Sequence, residues 1–174
     1  EKLGDGRRAR VATGPQEVFP EAPITERLLE AARAERGSVQ RLTTTIDDGG
    51  AAHVPVMLGE ESVVLRLWPH TDRHPEVELH VTGPDGELVE AELPAPRTWR
   101  GWVEGDVDRQ VAATITDGHF SAMVLEPDGG KWTIQPAPSD DAGLGPVFDG
   151  WSVVKRGEDV IPSGGVCGVP LGVA

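Results

Sequence analysis

Short runs of alternating hydrophobic and polar residues follow one another along most of the chain. The clearest run is residues 76–82, in which polar and apolar side chains alternate at every position. A period of two predicts a strand whose two faces differ chemically. The sequence GPDG at residues 83–86 is typical of a turn, and residues 87–93 are again strand-like. We therefore predict a β-hairpin over residues 76–93.

The same arrangement recurs elsewhere, with turn sequences rich in Gly, Asp and Pro roughly every eight to twelve residues. Outside the hairpin, the strands predicted in this way are 39–46, 54–58, 62–68, 99–104, 110–116, 119–126, 131–135 and 151–155. Short strands between regularly spaced turns are typical of antiparallel sandwiches and barrels. We therefore expect an all-β fold, an antiparallel β-sandwich or barrel-like domain with one short N-terminal helix and an extended C-terminal tail.

The helix is predicted at residues 24–36, where Ile24, Leu28 and Leu29 fall on one face and Gly37 follows as a stop. Its three turns are enough to pack on a sheet but are marginal in isolation. The remaining organisation is a flexible leader at residues 1–23, a core at 24–155 and a tail. Within that core the β-domain spans 39–155, and the extended tail, which holds the only cysteine, spans 156–174.

Composition narrows the classes of partner. The formal net charge is −13, and nucleic acids and anionic membranes both require a positive protein surface. We therefore expect neither as a partner. No stretch approaches the roughly 20 apolar residues of a membrane span. The basic run RRAR at residues 7–10 fits either a processing site or a solvated patch.

Motifs of the common hydrolases are missing from the sequence, which has no HExxH, GxSxG, phosphate-binding loop or CxxC. His70 and His74 have the spacing of metal ligands on a helix. Pro69 and Pro75 enclose them, however, and favour a loop. The five tryptophans lie in or beside predicted strands, where they fit a core or rim role, or else a sugar-binding platform; they are Trp68, Trp99, Trp102, Trp132 and Trp151.

Cys167 is an unpaired thiol in an unusual setting. Pro162 and Pro170 favour an extended path around it, and flanking glycines allow the backbone to approach another surface closely. The residues immediately around it are Gly164, Gly165, Val166, Gly168 and Val169. Such a segment can enter a narrow cleft and present the thiol at its bottom. The other interpretations are an inert buried cysteine, a cysteine paired between chains, and a nucleophile assisted by one of the five histidines.

Several short motifs occur in a fixed order: WRGWVEG at 99–105, VAATI at 111–115, DGHFSAMV at 117–124, KWTIQP at 131–136, VVKRGED at 153–159 and VCGV at 166–169. In this order the segment from Thr43 to Val169 resembles the propeptides of adamalysin/reprolysin-type (ADAM-like) zinc metalloproteases. The chain differs from that family at Thr116 and Ala122, where the family often has cysteines and a glycine, and at Trp132, where tyrosine is usual. These differences suggest a bacterial-type relative without the additional disulfide.

The resemblance implies a non-catalytic, secreted prodomain that keeps a protease of the same precursor latent and assists its folding. Cys167 would bind the catalytic Zn²⁺ of that protease, and the chain would have no cofactor of its own. The flanking residues named above would contact the protease cleft. The alternative is a secreted β-sandwich module that binds carbohydrate or a protein and carries an incidental cysteine. A third class is an enzyme that uses Cys167 itself.

Overall fold

The computed structural model describes residues 22–116, 119–137 and 150–162. Within these ranges the chain forms one helix, α1 (Ala22–Ala31), and eleven strands. The strands are β1 (Ser38–Arg41), β2 (Thr45–Ile46), β3 (Ala52–Leu58), β4 (Glu61–His70), β5 (Leu79–Thr82), β6 (Leu88–Ala91), β7 (Thr98–Val103), β8 (Asp106–Thr116), β9 (His119–Leu125), β10 (Lys131–Pro136) and β11 (Trp151–Arg156). None of the described helical residues forms a segment long and apolar enough to cross a membrane.

Nine of the strands form one antiparallel sheet in the order β1-β11-β10-β9-β8-β7-β4-β3-β2. The sheet curls into a half-barrel, which confirms the predicted all-β, barrel-like fold. The single strand predicted over residues 39–46 is wrong. It is two strands, β1 and β2, which lie at opposite edges of the sheet although only residues 42–44 separate them. Residues 42–44 contain no Gly, Pro, Asn or Asp that would indicate a turn, so the sequence does not reveal the crossing.

The concave face of the sheet holds the main hydrophobic core. Alternate residues of the strands point inward, as their burial shows most clearly on β4 and β8. The largest contribution comes from β3, which is buried along nearly its whole length. The core consists of Ala52, Val54, Val56, Leu58, Val63, Leu65, Leu67, Val103, Val111, Ala113, Phe120, Ala122, Val124, Ile134 and Val154.

Helix α1 packs on the other face of the sheet, where Leu28 and Ala32 meet Val39 and Val153. It begins and ends earlier than the predicted span of 24–36. Its C-terminal end is a Schellman motif, in which Arg33 takes a left-handed φ of 52° and two reverse hydrogen bonds close the last turn. The predicted stop at Gly37 was wrong because the left-handed residue is an arginine.

Gly37 has a different role, which is to allow close approach to β11. A Cβ at this position would lie 2.6 Å from the carbonyl oxygen of Val154. The neighbouring Lys155 donates a hydrogen bond from Nζ to the carbonyl of Ala32 at the end of α1. Burial lowers the pKa of this lysine below that of a free lysine. The helix therefore joins the sheet through both apolar and polar contacts.

A buried glutamine joins the two sides of the half-barrel where the backbone ladder does not close. Gln40, on β1, has no exposed surface. Its Oε1 accepts the backbone N–H of Met57 on β3 at 2.9 Å, and its Nε2 donates to the carbonyl oxygen of Met57 at 2.8 Å. Nε2 also donates to Oγ of Ser38 at 2.7 Å. The side chain thus supplies the pair of hydrogen bonds that a neighbouring strand would make.

The predicted hairpin is confirmed, with shorter strands than expected. β5 and β6 pair antiparallel, with Leu79 opposite Ala91 and Val81 opposite Val89. Among the described strands these two pair only with each other and form a separate two-stranded sheet. We call residues 76–93 the hairpin arm, because they lie in the connection between β4 and β7 and outside the main sheet.

Candidate functional site

The predicted zinc-directed site lies outside the described residues. This applies to Cys167 and to its neighbours Gly164, Gly165, Val166, Gly168 and Val169. The structure does describe the chain up to Pro162, and therefore the point from which the cysteine segment continues.

The chain is fastened to the domain immediately before this point. After β11 a 3₁₀ turn spans Gly157–Asp159, and Val160 forms an antiparallel bridge with Ala34. The backbone N–H of Ile161 donates to the carbonyl oxygen of Arg33 at 2.9 Å. The backbone N–H of Glu35 donates to the carbonyl oxygen of Asp159 at 2.8 Å. The tail predicted from residue 156 is thus bound to the domain over its first residues, along the segment that follows α1.

An ion pair reinforces this attachment. Nε and Nη2 of Arg36 lie 2.8 and 2.7 Å from Oδ1 of Asp159. The Asp159 side chain is only 10% exposed, whereas that of Arg36 is 75% exposed. Removal of Arg36 would therefore leave a nearly buried carboxylate without its charged partner, which is unfavourable. The pair ties residues that are far apart in the sequence and holds the base of the tail against the domain.

Beside this attachment is an open cavity of about 350 Å³, whose lining includes Arg36, Gly59, Trp132, Arg156 and Asp159. The guanidinium carbon of Arg156 lies 5.3 Å from the centre of the Trp132 ring, within the range of a cation–π contact. A Cβ at Gly59 would come within 3.3 Å of that ring. The cavity combines charges of both signs with one aromatic wall.

Chain length limits where the thiol can lie. Cys167 is five residues after Pro162, and a fully extended chain advances at most about 3.6 Å per residue. Its Cα must therefore lie within about 18 Å of that of Pro162. Pro162 itself is held in place, because the preceding residue, Ile161, is hydrogen-bonded to Arg33. The limit of about 18 Å is therefore measured from a point next to the C-terminal end of α1.

The two histidines with metal-ligand spacing have different hydrogen-bond partners. His70, the last residue of β4, has its Nε2 2.9 Å from Oδ1 of Asp72. Nδ1 of His74 accepts the backbone N–H of Glu76 at 3.3 Å. Residues 71–78 form no helix, as the flanking prolines indicate. In the part of the chain that the structure describes, no three His, Cys, Asp or Glu side chains are grouped so that they could hold a metal ion.

The tryptophans divide between the core and the convex face of the sheet. Trp99 and Trp132 pack against the main core, and Trp151 packs against the cluster under α1. Trp68 and Trp102 are half-buried on the other face, with ring centres 4.7 Å apart and planes tilted by 39°. These two rings lie next to each other on the convex face and form a candidate aromatic binding surface.

The motif at residues 99–105 has a clear structural basis. A Cβ at Gly101 would lie 1.8 Å from the carbonyl oxygen of Arg66 on β4, a distance that no side chain can occupy. Trp99 and Val103, two residues to either side, face the main core. The three residues of the aromatic-x-Gly-x-Val motif therefore lie on the inward face of β7. The glycine is at the point where β7 and β4 approach closely.

A buried arginine in the core was not singled out by sequence reasoning. Arg109 has a side chain only 9% exposed, and its Nη1 lies 3.0 and 2.9 Å from the two carboxylate oxygens of Glu61. Its Nη2 donates to Oε1 of Glu126 at 2.9 Å. Burial acts to lower the pKa of Arg109, but the two glutamates outweigh it and raise that pKa. The sequence does hold one indication of its burial. Arg109 lies two residues before Val111 and four before Ala113, so in a strand all three side chains share the inward side of β8.

Comparison of the chain with protein-family models and with curated sequences finds no match. The resemblance to metalloprotease propeptides therefore depends on the motifs of this chain. Two of them acquire a concrete structural role in the fold: the segment around Gly101 and the segment that leads through Asp159 to the tail.

Proposed function

We propose that this chain is the inhibitory prodomain of a secreted zinc metalloprotease and that Cys167 is its zinc-directed ligand. The observation that supports the proposal most is the short connection between a fixed part of the domain and the only cysteine. Four residues separate Pro162 from Cys167, and two of them are glycines. An incidental surface cysteine has no need of such a setting, whereas a thiol that must enter a cleft does.

The chemistry follows from the zinc site of the partner protease. Such a site has three protein ligands and an open position at which Zn²⁺ activates a water molecule. The Cys167 thiolate would occupy that position at a distance of about 2.3 Å and displace the water. Zn²⁺ itself stabilises the thiolate, so the free thiol need not be ionised before it binds. The chain would contribute no catalytic group and hold no metal of its own.

The attachment at Arg33 and Arg36 would make this inhibition efficient. In the precursor the thiol and the zinc would belong to one molecule, and a short flexible link between the two domains would give an effective concentration in the millimolar range. The ion pair between Arg36 and Asp159 fixes the base of the connection, so fewer residues lose conformational freedom on binding. Cleavage after the tail or oxidation of Cys167 would release the protease. The glycines and valines around Cys167 would line the contact with the cleft.

The test is inhibition of the zinc protease by the purified chain. We expect the wild-type chain to inhibit and Cys167→Ser to lose at least tenfold in inhibition constant, because serine is a much poorer zinc ligand. Because Cys167 is the only cysteine, alkylation modifies a single site and should reproduce the effect of the substitution. Equal inhibition by the wild-type and Cys167→Ser chains would refute the thiol mechanism.

The reading frame beyond Ala174 gives an independent check. The proposal expects the zinc-binding sequence HExxHxxGxxH downstream. An unrelated domain at that position would contradict the prodomain assignment. Hydrolysis by the isolated chain that alkylation abolishes would instead support a cysteine enzyme.

A second candidate is a carbohydrate-binding module, favoured by the two half-buried rings of Trp68 and Trp102 on the convex face. Arg66 lies over the Trp68 ring, with its guanidinium carbon 5.0 Å from the ring centre. The tilt between the two rings gives a surface less flat than a sugar ring requires. Titration calorimetry with oligosaccharides, comparing the wild type with Trp68→Ala, distinguishes this function: heat of binding that the substitution abolishes would support it.

A further inference from the structure

The hairpin arm has one apolar face that nothing in the described structure covers. Leu79 and Val81 of β5 lie opposite Ala91 and Val89 of β6, so that these four side chains share one face. Val81 and Val89 remain 44% and 50% exposed. A two-stranded sheet with an uncovered apolar face is marginally stable in water. Burial of this face against another surface would therefore stabilise the hairpin arm.

The charge of the arm determines the kind of partner. Residues 76–93 contain six acidic residues and no lysine or arginine, a formal charge of −6 out of −13 for the whole chain. His80 pairs with one of these carboxylates, its Nε2 lying 3.2 Å from Glu78. Two arms packed face to face would bring twelve acidic residues together, which opposes association between copies of this chain. Glu78 and Glu90 alternate with the apolar residues and therefore project from the opposite face of the arm, so their charge acts on a partner at long range rather than by contact. The arm is complementary to an apolar surface on a protein of positive net charge.

The position of the arm is well separated from the attachment of the tail. The tail is fastened near the end of the sheet where β4 begins, since Gly59 and Trp132 line the cavity beside it. The arm follows the opposite end of β4, which is ten residues long and therefore about 30 Å in length. A partner held at both points would be bound bivalently, with greater avidity than either contact provides.

We propose that the hairpin arm is a second docking element, which binds by its Leu79/Val81/Val89/Ala91 face to an apolar surface of a protease domain of positive net charge. The identity of the partner rests on the proposed function. The role of the arm is to keep the prodomain on the protease through contacts that do not involve the zinc. Binding should weaken as the salt concentration rises, because the complementary charges are at the surface.

The experiment measures the dissociation constant of the full chain for the protease domain encoded in the same reading frame, at low and high salt. Val81→Thr with Val89→Thr keeps the β-branched shape that favours a strand but places hydroxyl groups in the contact. We expect the dissociation constant to rise about tenfold or more. The matched control is Leu88→Thr, on the opposite face and 73% exposed, for which we expect a change of less than about twofold.

Two further measurements keep the proposal falsifiable if the valine variant loses its hairpin. Glu78→Lys with Glu90→Lys should weaken binding and reduce its dependence on salt by lowering the negative charge of the arm; unchanged binding would refute the positively charged partner. Hydrogen exchange at residues 79–82 and 88–91 should slow in the wild-type complex, and unchanged exchange would refute docking through the arm.

The zinc contact is tested separately by Cys167→Ser. If the valine variant binds as the wild type does while Cys167→Ser loses inhibition, the docking proposal fails and the prodomain assignment stands. If Cys167→Ser inhibits fully but the arm variants bind weakly, the thiol mechanism fails and docking stands. If the wild-type chain does not bind the protease domain, both proposals fail.

Discussion

Replacement of Gln40 by leucine tests whether a single side chain joins the two sides of the half-barrel. The amide makes two hydrogen bonds to the backbone of Met57 and one to Ser38, and the glutamine is fully buried. Gln40→Leu keeps the approximate volume of the side chain but leaves the N–H and the carbonyl group of Met57 without these partners.

The expected loss of stability follows from these contacts. Each orphaned backbone group costs about 1–3 kcal/mol, and the more apolar leucine recovers about 1 kcal/mol of burial. Met57 is partly exposed, so water compensates some of the loss. We therefore expect the free energy of unfolding to fall by about 2–3 kcal/mol, with a decrease in Tm of about 4–12 °C for a chain of this size.

The assay is urea unfolding followed by tryptophan fluorescence. Gln110→Leu is the matched control, because Gln110 is exposed on β8 and its replacement should change stability by less than about 0.5 kcal/mol. Gln40→Glu is a second probe: its carboxylate can still accept from Met57 but cannot donate, and it should be more destabilising at neutral pH than at a pH where it is protonated. A loss of less than about 0.5 kcal/mol in Gln40→Leu would refute the proposed role of the amide.

Three other predictions concern the sheet and the helix. Gly101→Ala should lower the free energy of unfolding by at least about 3 kcal/mol or prevent folding, because its Cβ would collide with the backbone of β4; thermal unfolding checks this. Arg109→Leu should cost about 3 kcal/mol by leaving Glu126, whose side chain is 14% exposed, without its partner, and adding Glu126→Leu should recover part of that loss in a urea double-mutant cycle. Lys155 has a pKa lowered by burial, so the unfolded chain binds its proton more tightly. The free energy of unfolding should then rise as the pH increases through the folded-state pKa toward 10.5. Lys155→Met should remove this rise in pH-dependent denaturation, and an identical profile in the variant would contradict the assignment.

Local chemistry in the sequence was enough to predict the hairpin, the short strands and the all-β class. The GPDG turn and the alternation on either side of it concern residues that are neighbours in the chain, so no distant contact is needed to interpret them. The same holds for the setting of Cys167, because the conformational freedom of glycine and the restraint of proline are properties of the local backbone. The role of that cysteine stays a prediction of the sequence.

Tertiary structure decided where the edges of the sheet lie and what joins them. Residues 39–46 form one run without a turn signal, yet they divide between opposite edges of the half-barrel, because distant residues determine the pairing partner of a strand. Gln40 lies within a predicted strand and Arg109 directly before one, and only the fold shows that both are buried with their terminal atoms hydrogen-bonded. Asp159 likewise becomes an anchor for the tail only when α1 brings Arg36 beside it. Sequence periodicity indicates on which face of a strand a side chain lies. Which residues that side chain then contacts is determined only by the folded chain.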